Sequence, residues 1–245
     1  MRFVGQPLLL GMLACAPDKG ETSTGYGDGS GFDESTAGNI AYDIDHLMEV
    51  EIELDPDDWD ELRYQERNLV NLLSGEECLD EAWESPFTWF VGTATIDGEV
   101  FEQVEFRKKG LLGSVVSDRP SLKLDFDDHV EDQMFDGLER LTLNNGNQDG
   151  TRIVPCLGYA LYADAGLPAS RCSYAHVVVN GDDLGVYANV EPIKDPFLRR
   201  NFGNDGGNLY EGTLSDFRDG WSGSFDDKTE EGDFSDIDEI VAALE

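Results

Sequence analysis

VEFRKKGLLGSVVSDRPSLKLDF, residues 104–126, is the stretch on which the reading of the fold turns. Its two ends alternate as strands do. Val104 and Phe106 oppose Glu105 and Arg107, and Leu122, Leu124 and Phe126 oppose Ser121, Lys123 and Asp125. Residues 108–119 between them read as a loop. The chain has 52 acidic and 17 basic residues, yet five of the basic ones fall here: Arg107, Lys108, Lys109, Arg119 and Lys123. Cations gathered beside Gly110 and Gly113, where backbone can approach a ligand closely, point to a gripped anion. The competing reading is that they balance neighbouring carboxylates.

Upstream of this stretch, residues 87–106 read as a hairpin. Residues 87–96 supply one strand, Asp97-Gly98 a type I′ turn, and residues 99–106 the return. Strict alternation places Val100, Glu102, Val104 and Phe106 on one face. Residues 46–54 alternate as another strand. Asp55-Pro56-Asp57-Asp58 then opens a short helix that carries Trp59 and Leu62, with a cap, a first-position proline and acids at the positive dipole end. Residues 69–86, which contain Cys78, read as a loop or insertion.

Downstream, residues 138–143 predict a strand that runs into Asn144-Asn145-Gly146-Asn147-Gln148-Asp149-Gly150. Asn145, Asn147 and Asp149 have the spacing of a calcium loop, but the twelfth position is Cys156 rather than Glu, which excludes an EF-hand. Asn144 and Asn145 are expected to close a turn. A helix is predicted over 152–165, with Asp149 and Arg152 paired to anchor it and Ile153, Leu157, Ala160 and Leu161 along one side. Residues 173–190 form a second hairpin around Asn180-Gly181, residues 195–201 a short helix and residues 208–211 a brief strand. Residues 214–234 are acidic and Gly-rich, hence expected to be exposed. Ile237, Ile240, Val241 and Leu244 begin an amphipathic helix.

The net charge of −35 excludes non-specific binding to nucleic acid or anionic membrane, while 40% hydrophobic residues are enough for a core. Arg2, an apolar run and Met12-Leu13-Ala14-Cys15 resemble a lipoprotein signal (1–15) with Cys15 as the lipid-bearing residue. Residues 16–39 then form an acidic Gly/Ser tether, 40–212 the main domain, and 213–245 an acidic loop and the start of a helical region. This predicts an exported, membrane-anchored protein whose only membrane contact is the lipid. Cys78, Cys156 and Cys172 allow one disulfide with three possible pairings. The spacing of Cys and His offers no zinc site, and His46, His129 and His176 are expected to be surface or structural residues.

The ordered motifs resemble those of the spore-coat protein H (CotH) kinase-like family. Arg107-Lys108-Lys109-Gly110 with Ser114 and Ser121-Leu122-Lys123-Leu124-Asp125-Phe126 match its Arg-x-x-Gly and Lys-x-x-Phe region. Leu141-Thr142-Leu143-Asn144-Asn145, Ala165-Gly166-Leu167-Pro168-Ala169, Val179-Asn180-Gly181, Gly185-Val186-Tyr187, Glu191 and Gly207-Asn208-Leu209-Tyr210 continue the series in order. The resemblance implies an α+β, kinase-like small lobe of antiparallel hairpins and a few helices, cut before a helical catalytic lobe. It implies an atypical kinase that uses ATP and Mg²⁺ or Mn²⁺ to phosphorylate protein Ser/Thr, with a protein substrate or a surface or coat protein as partner. Lys123 would hold nucleotide phosphates, Gly110 and Gly113 would let backbone approach them, Arg107 would add charge, and Glu191 would order the site. The family's catalytic and metal-binding aspartates have no counterpart here. The alternative expectations are a non-catalytic surface-binding or coat-assembly lipoprotein and, third, an acidic calcium-binding surface protein.

Overall fold

The computed structural model describes residues 10–12, 36–67, 85–111, 113–212, 215–229 and 234–244. Cys15, Cys78, most of the predicted tether and most of residues 69–86 lie outside them. Two compact units emerge, one of residues 30–66 and 87–203, the other of residues 1–29, 67–86 and 204–245.

The larger unit is a closed seven-stranded barrel, ordered β2-β3-β4-β5-β6-β8-β7. Its strands are β2 (Leu47–Glu53), β3 (Trp89–Ile96), β4 (Glu99–Lys109), β5 (Ser121–Asp125), β6 (Arg140–Asn144), β7 (Cys172–Val179) and β8 (Asp182–Val190). The helices α1 (Pro56–Tyr64), α2 (Val154–Asp164) and α3 (Asp195–Phe202) accompany it. This corrects the expected kinase-like small lobe of hairpins and helices. Both hairpins form, β3–β4 and β7–β8, but β2 pairs in parallel with β7 from Leu47↔Tyr174 to Ile52↔Val179, and β6 pairs with β8. Those two long-range ladders close the sheet and remove its edges.

Alternation fills the interior. Met48, Val50 and Ile52 of β2, Leu122 and Leu124 of β5, Leu141 and Leu143 of β6, and Val177 and Val179 of β7 are all essentially inaccessible. Phe101, Phe126 and Phe135 meet edge-on, with Phe101 5.2 Å from Phe126 and 6.0 Å from Phe135. The alternation predicted for β4 breaks once. Gln103 has φ 58°, and two residues between Phe101 and Val104 oppose one between Ala94 and Gly92. This bulge turns Phe101 inward with Val104 and Phe106, and leaves Val100 exposed. Opposite it, Gly92 is required by packing, since a Cβ there would lie 2.4 Å from the Glu53 carbonyl oxygen.

The Asp97-Gly98 turn adopts left-handed φ at both positions (50° and 86°), as type I′ demands. Asp97 also ties β2 to the turn, accepting from the Glu49 N–H at 2.9 Å and bonding His46 at 2.8 Å. In α1 the Asp55 side chain accepts from the Asp57 N–H, and Trp59 and Leu62 face the core. One cation of the island serves this helix. Lys108 points into the barrel, is 1% exposed, and donates to the carbonyls of Arg63 (2.6 Å) and Gln65 (2.7 Å) at the helix's negative end.

Across the parallel ladder, the exposed pair Glu49↔His176 supplies a pH-sensitive contact. His176 bonds Glu49 through Nδ1 at 2.7 Å and Asp183 through Nε2 at 2.9 Å, and the Glu49 bond foremost raises its pKa above the ordinary histidine value. Because the folded pKa is the higher one, the contribution to stability is complete below the unfolded pKa and is lost as pH rises through the folded pKa. An NMR titration should place His176 above about 6.5 and Glu49→Gln should bring it back toward that value. An unshifted wild-type His176 would refute the pairing.

The second unit has a three-stranded sheet, β1 (Leu10–Met12), β9 (Tyr210–Gly212) and β10 (Phe225–Asp227), with β9 in the middle, and helix α4 (Ser235–Leu244). Tyr210, Phe225, Ile237 and Val241 form its core. Part of the stretch expected to be exposed is therefore buried: Phe225 is 3% accessible and its ring lies 5.2 Å from that of Phe217.

Candidate functional site

The strand register sets the outer wall of the barrel in rows. Arg107 of β4 stands opposite Lys123 of β5, and Lys123 opposite Thr142 of β6. Trp89 of β3 completes this row beyond Arg107, and its ring lies 4.3 Å from the guanidinium carbon. Arg107 is buried and Lys123 is half-buried. The sequence-predicted cations thus come together as neighbours, about 5 Å apart in backbone terms as for any paired strands. Alternation in β4 and β5 carries that placement, and Trp89 and Thr142 join the row only through register.

The row above holds Lys109, Ser121 and Asn144, with the Lys109 ammonium donating to Asn144 at 2.9 Å. The row below holds Glu105, Asp125 and Arg140. There Arg140 Nε pairs with Asp125 at 2.8 Å, and His129 lies 3.2 Å from Glu105. The cationic row is therefore flanked by carboxylates that already have partners.

Gly110 and Gly113 have φ of 133° and 72°, and the loop they serve is fastened rather than open. A Cβ on Gly113 would meet the Gln148 amide at 2.2 Å, and one on Gly110 would meet Ser114 Oγ at 2.6 Å. Asn145 is 1% exposed and its amide donates to the carbonyls of Ser114 (2.9 Å) and Arg119 (2.8 Å), while Asn147 donates to Gly113 at 2.8 Å. The Asn144–Gly150 segment is thus the clamp that shapes the glycine loop. Sequence reading gave Asn145 only a turn, and its Asx contact to the Asn147 N–H is that turn.

The remaining expectations separate. Asp149 accepts from the Thr151 hydroxyl and N–H and from the Val154 N–H, bonds that hold its pKa below the usual carboxylate value, the hydroxyl foremost. Arg152 meets Asp149 through its backbone N–H, which donates to the Asp149 carbonyl at 3.0 Å, and not through an ion pair of side chains. Its guanidinium donates to the Val186 carbonyl at 2.9 Å, which Arg119 also reaches. Arg119 lies 4.6 Å over the Tyr187 ring, and burial lowers its pKa from the usual guanidinium value. Glu191 is 2% exposed, and its carboxylate accepts from the Arg171 N–H at 2.9 Å, from Arg171 Nη2 at 2.7 Å and from Arg200. It joins the start of β7 to α3.

The chemistry of the central row can be tested against the nucleotide and metal that the resemblance implies. Arg107, Lys123 and Thr142 offer donors and positive charge, which suit phosphate oxygens. A divalent ion needs carboxylates, and the adjacent Glu105 and Asp125 are engaged by His129 and Arg140. Among the described residues, Glu105, Asp128 and His129 bring ligand atoms within 4.8 Å of one another, but two of the three are exposed and both acids face the imidazole. The row fits phosphate and does not fit a metal ion.

Fold and site define a mixed β-barrel domain with a cationic row on its wall beside a clamped glycine loop. A family model described as CotH kinase protein matches residues 106–245, more than half of the chain, and the chain belongs to the CotH kinase family. A comparison with curated proteins returned no match. Among the described residues, no helix is long and apolar enough to cross a membrane.

Proposed function

We propose that this chain is an exported, lipid-anchored member of the CotH kinase family whose barrel wall binds the phosphates of ATP. The observation that carries this reading is the Arg107–Lys123 cross-strand pair, two cations set side by side in a chain of net charge −35. Lys123 is the contacting cation, and Arg107, held against Trp89, is a fixed charge behind it. The clamped loop at Gly110 and Gly113 borders the row and limits where the phosphates sit. ATP with Mg²⁺ or Mn²⁺ would supply the phosphoryl group for transfer to a protein Ser/Thr hydroxyl. The residues described here bind and orient phosphates, and no transfer step is assigned to them. A surface or coat protein is the expected substrate or partner. Export is supported by the Cys156–Cys172 disulfide, since such bonds persist in oxidising compartments, and anchoring by the Cys15 motif.

Saturating Mg-ATP should raise the unfolding midpoint by about 5 °C at a hundred times the dissociation constant. Lys123→Ala should weaken ATP at least about tenfold. The second reading, a non-catalytic surface-binding or coat-assembly lipoprotein, is favoured by the engagement of Glu191 with Arg171 and Arg200. A midpoint indifferent to ATP with either metal would decide for it.

A further inference from the structure

Arg119, at the end of the glycine loop, and Arg152, just before α2, donate through their guanidinium groups to one oxygen, the Val186 carbonyl of β8. Among the described residues neither forms an ion pair with a carboxylate. That is unusual in a chain with 52 acidic residues. Arg63, Arg140, Arg171 and Arg218 each have a carboxylate oxygen within 2.8 Å.

A single carbonyl does not account for two guanidiniums. Its lone pairs can accept both N–H groups, but it carries only a partial charge against two full ones. Burial foremost, and then the charge of Arg152, hold the Arg119 pKa below the usual guanidinium value, while Tyr187 and the exposed Asp118 act the other way. Arg119 is held over the ring of the inaccessible Tyr187, and both its Nε and the Tyr187 hydroxyl are buried with no hydrogen bond of good geometry. Arg152 has φ 61°, a left-handed conformation that a non-glycine residue holds only where its surroundings impose it. Both arginines keep part of their surface exposed, so the pair is accessible from solvent.

Two guanidiniums present two planar forks of donors and two positive charges, which suit a dianion with several acceptor oxygens. A phosphate group carries about −1.5 to −2 at pH 7 and three such oxygens, whereas a carboxylate would leave half the charge unbalanced. We propose that Arg119 and Arg152 form a second anion site, where the glycine loop meets β8, that binds a phosphate group as its dianion. The Val186 carbonyl sets the two guanidiniums, and their remaining N–H groups take the phosphate oxygens. The site does not depend on the outer row, because Arg119 stacks on Tyr187 of the barrel core whereas Lys123 faces away from it.

Nitrogen-15 NMR of the arginine Nε–H groups in the full chain tests this residue by residue. Inorganic phosphate added at constant ionic strength should shift the Arg119 and Arg152 signals along one binding curve, and acetate should not. Arg152→Gln should weaken phosphate at least about tenfold, read at Arg119 and by calorimetry. Arg119→Lys, which keeps the charge and loses the fork, should weaken it as well. The wild-type shifts decide without any variant should either substitution prevent folding. Arg119 and Arg152 signals indifferent to phosphate overturn the proposal, as do shifts that acetate reproduces or an affinity that Arg152→Gln leaves intact. A shift confined to Arg107 also overturns it, and puts the phosphate on the outer row instead. O-phosphoserine names the source: tighter binding than the free ion assigns the site to phosphorylated protein, weaker binding to inorganic phosphate.

Discussion

Glu191→Ala is expected to lower the unfolding free energy by about 3–5 kcal/mol, the scale on which removing one partner of a buried ion pair acts. The carboxylate is 1% exposed and collects the Arg171 backbone and guanidinium N–H groups together with Arg200. Deleting it leaves two arginines facing each other without their counterion. The damage spreads because Arg171 also donates to the Ala37 carbonyl at 2.8 Å and lies 4.7 Å over the Tyr42 ring, whose phenol burial pushes well above its usual range. Chemical denaturation of wild type, Glu191→Ala, Arg200→Ala and the double variant should show strong non-additivity. A loss below about 0.5 kcal/mol, typical of a surface change, would refute the network. The ATP affinity of folded Glu191→Gln separates the roles: a purely structural acid leaves it unchanged.

Removal of the Cys156–Cys172 bond has the second largest expected effect. It closes a loop of sequence separation 16, for which chain-entropy arguments give about 3 kcal/mol. The consequence should be local before it is global. Cys156 is the only buried residue of α2, so the helix owes its seat mainly to that bond. In a Cys156→Ser, Cys172→Ser variant, amides of α2 should lose hydrogen-exchange protection while those of β5 and β6 keep it. Uniform loss across the barrel, or none at all, would contradict this division.

Much of the local structure was legible because its signals are local. Asp97-Gly98 specified its turn by needing left-handed φ twice, and Asp55-Pro56 specified the start of α1. Alternation set Lys123 opposite in facing to Leu122 and Leu124, which is why the cationic row could be anticipated in part. The β4 face could not be read the same way, because one extra residue at Gln103 inverts everything before it and bulges carry no compositional mark there. The apolar stripe of α2 was visible, but its direction was not. A single disulfide, one of three the cysteines allow, decided which side met the barrel.

By itself the sequence determined the two hairpins, the helix starts, the cation island and the family, all of which depend on residues near each other in the chain or on motifs in order. Tertiary structure alone decided that β2 lies parallel to β7 across more than a hundred residues, closing a mixed barrel where a kinase-like small lobe of antiparallel hairpins and a few helices was expected. It also decided what each cation does. Lys108 ends on helix carbonyls and Arg119 on the Val186 carbonyl, whereas Arg107 and Lys123 share a row on the outer wall. Charge and spacing show that cations are gathered, but strand register and burial fix what each one faces, and those arise only when distant strands pair.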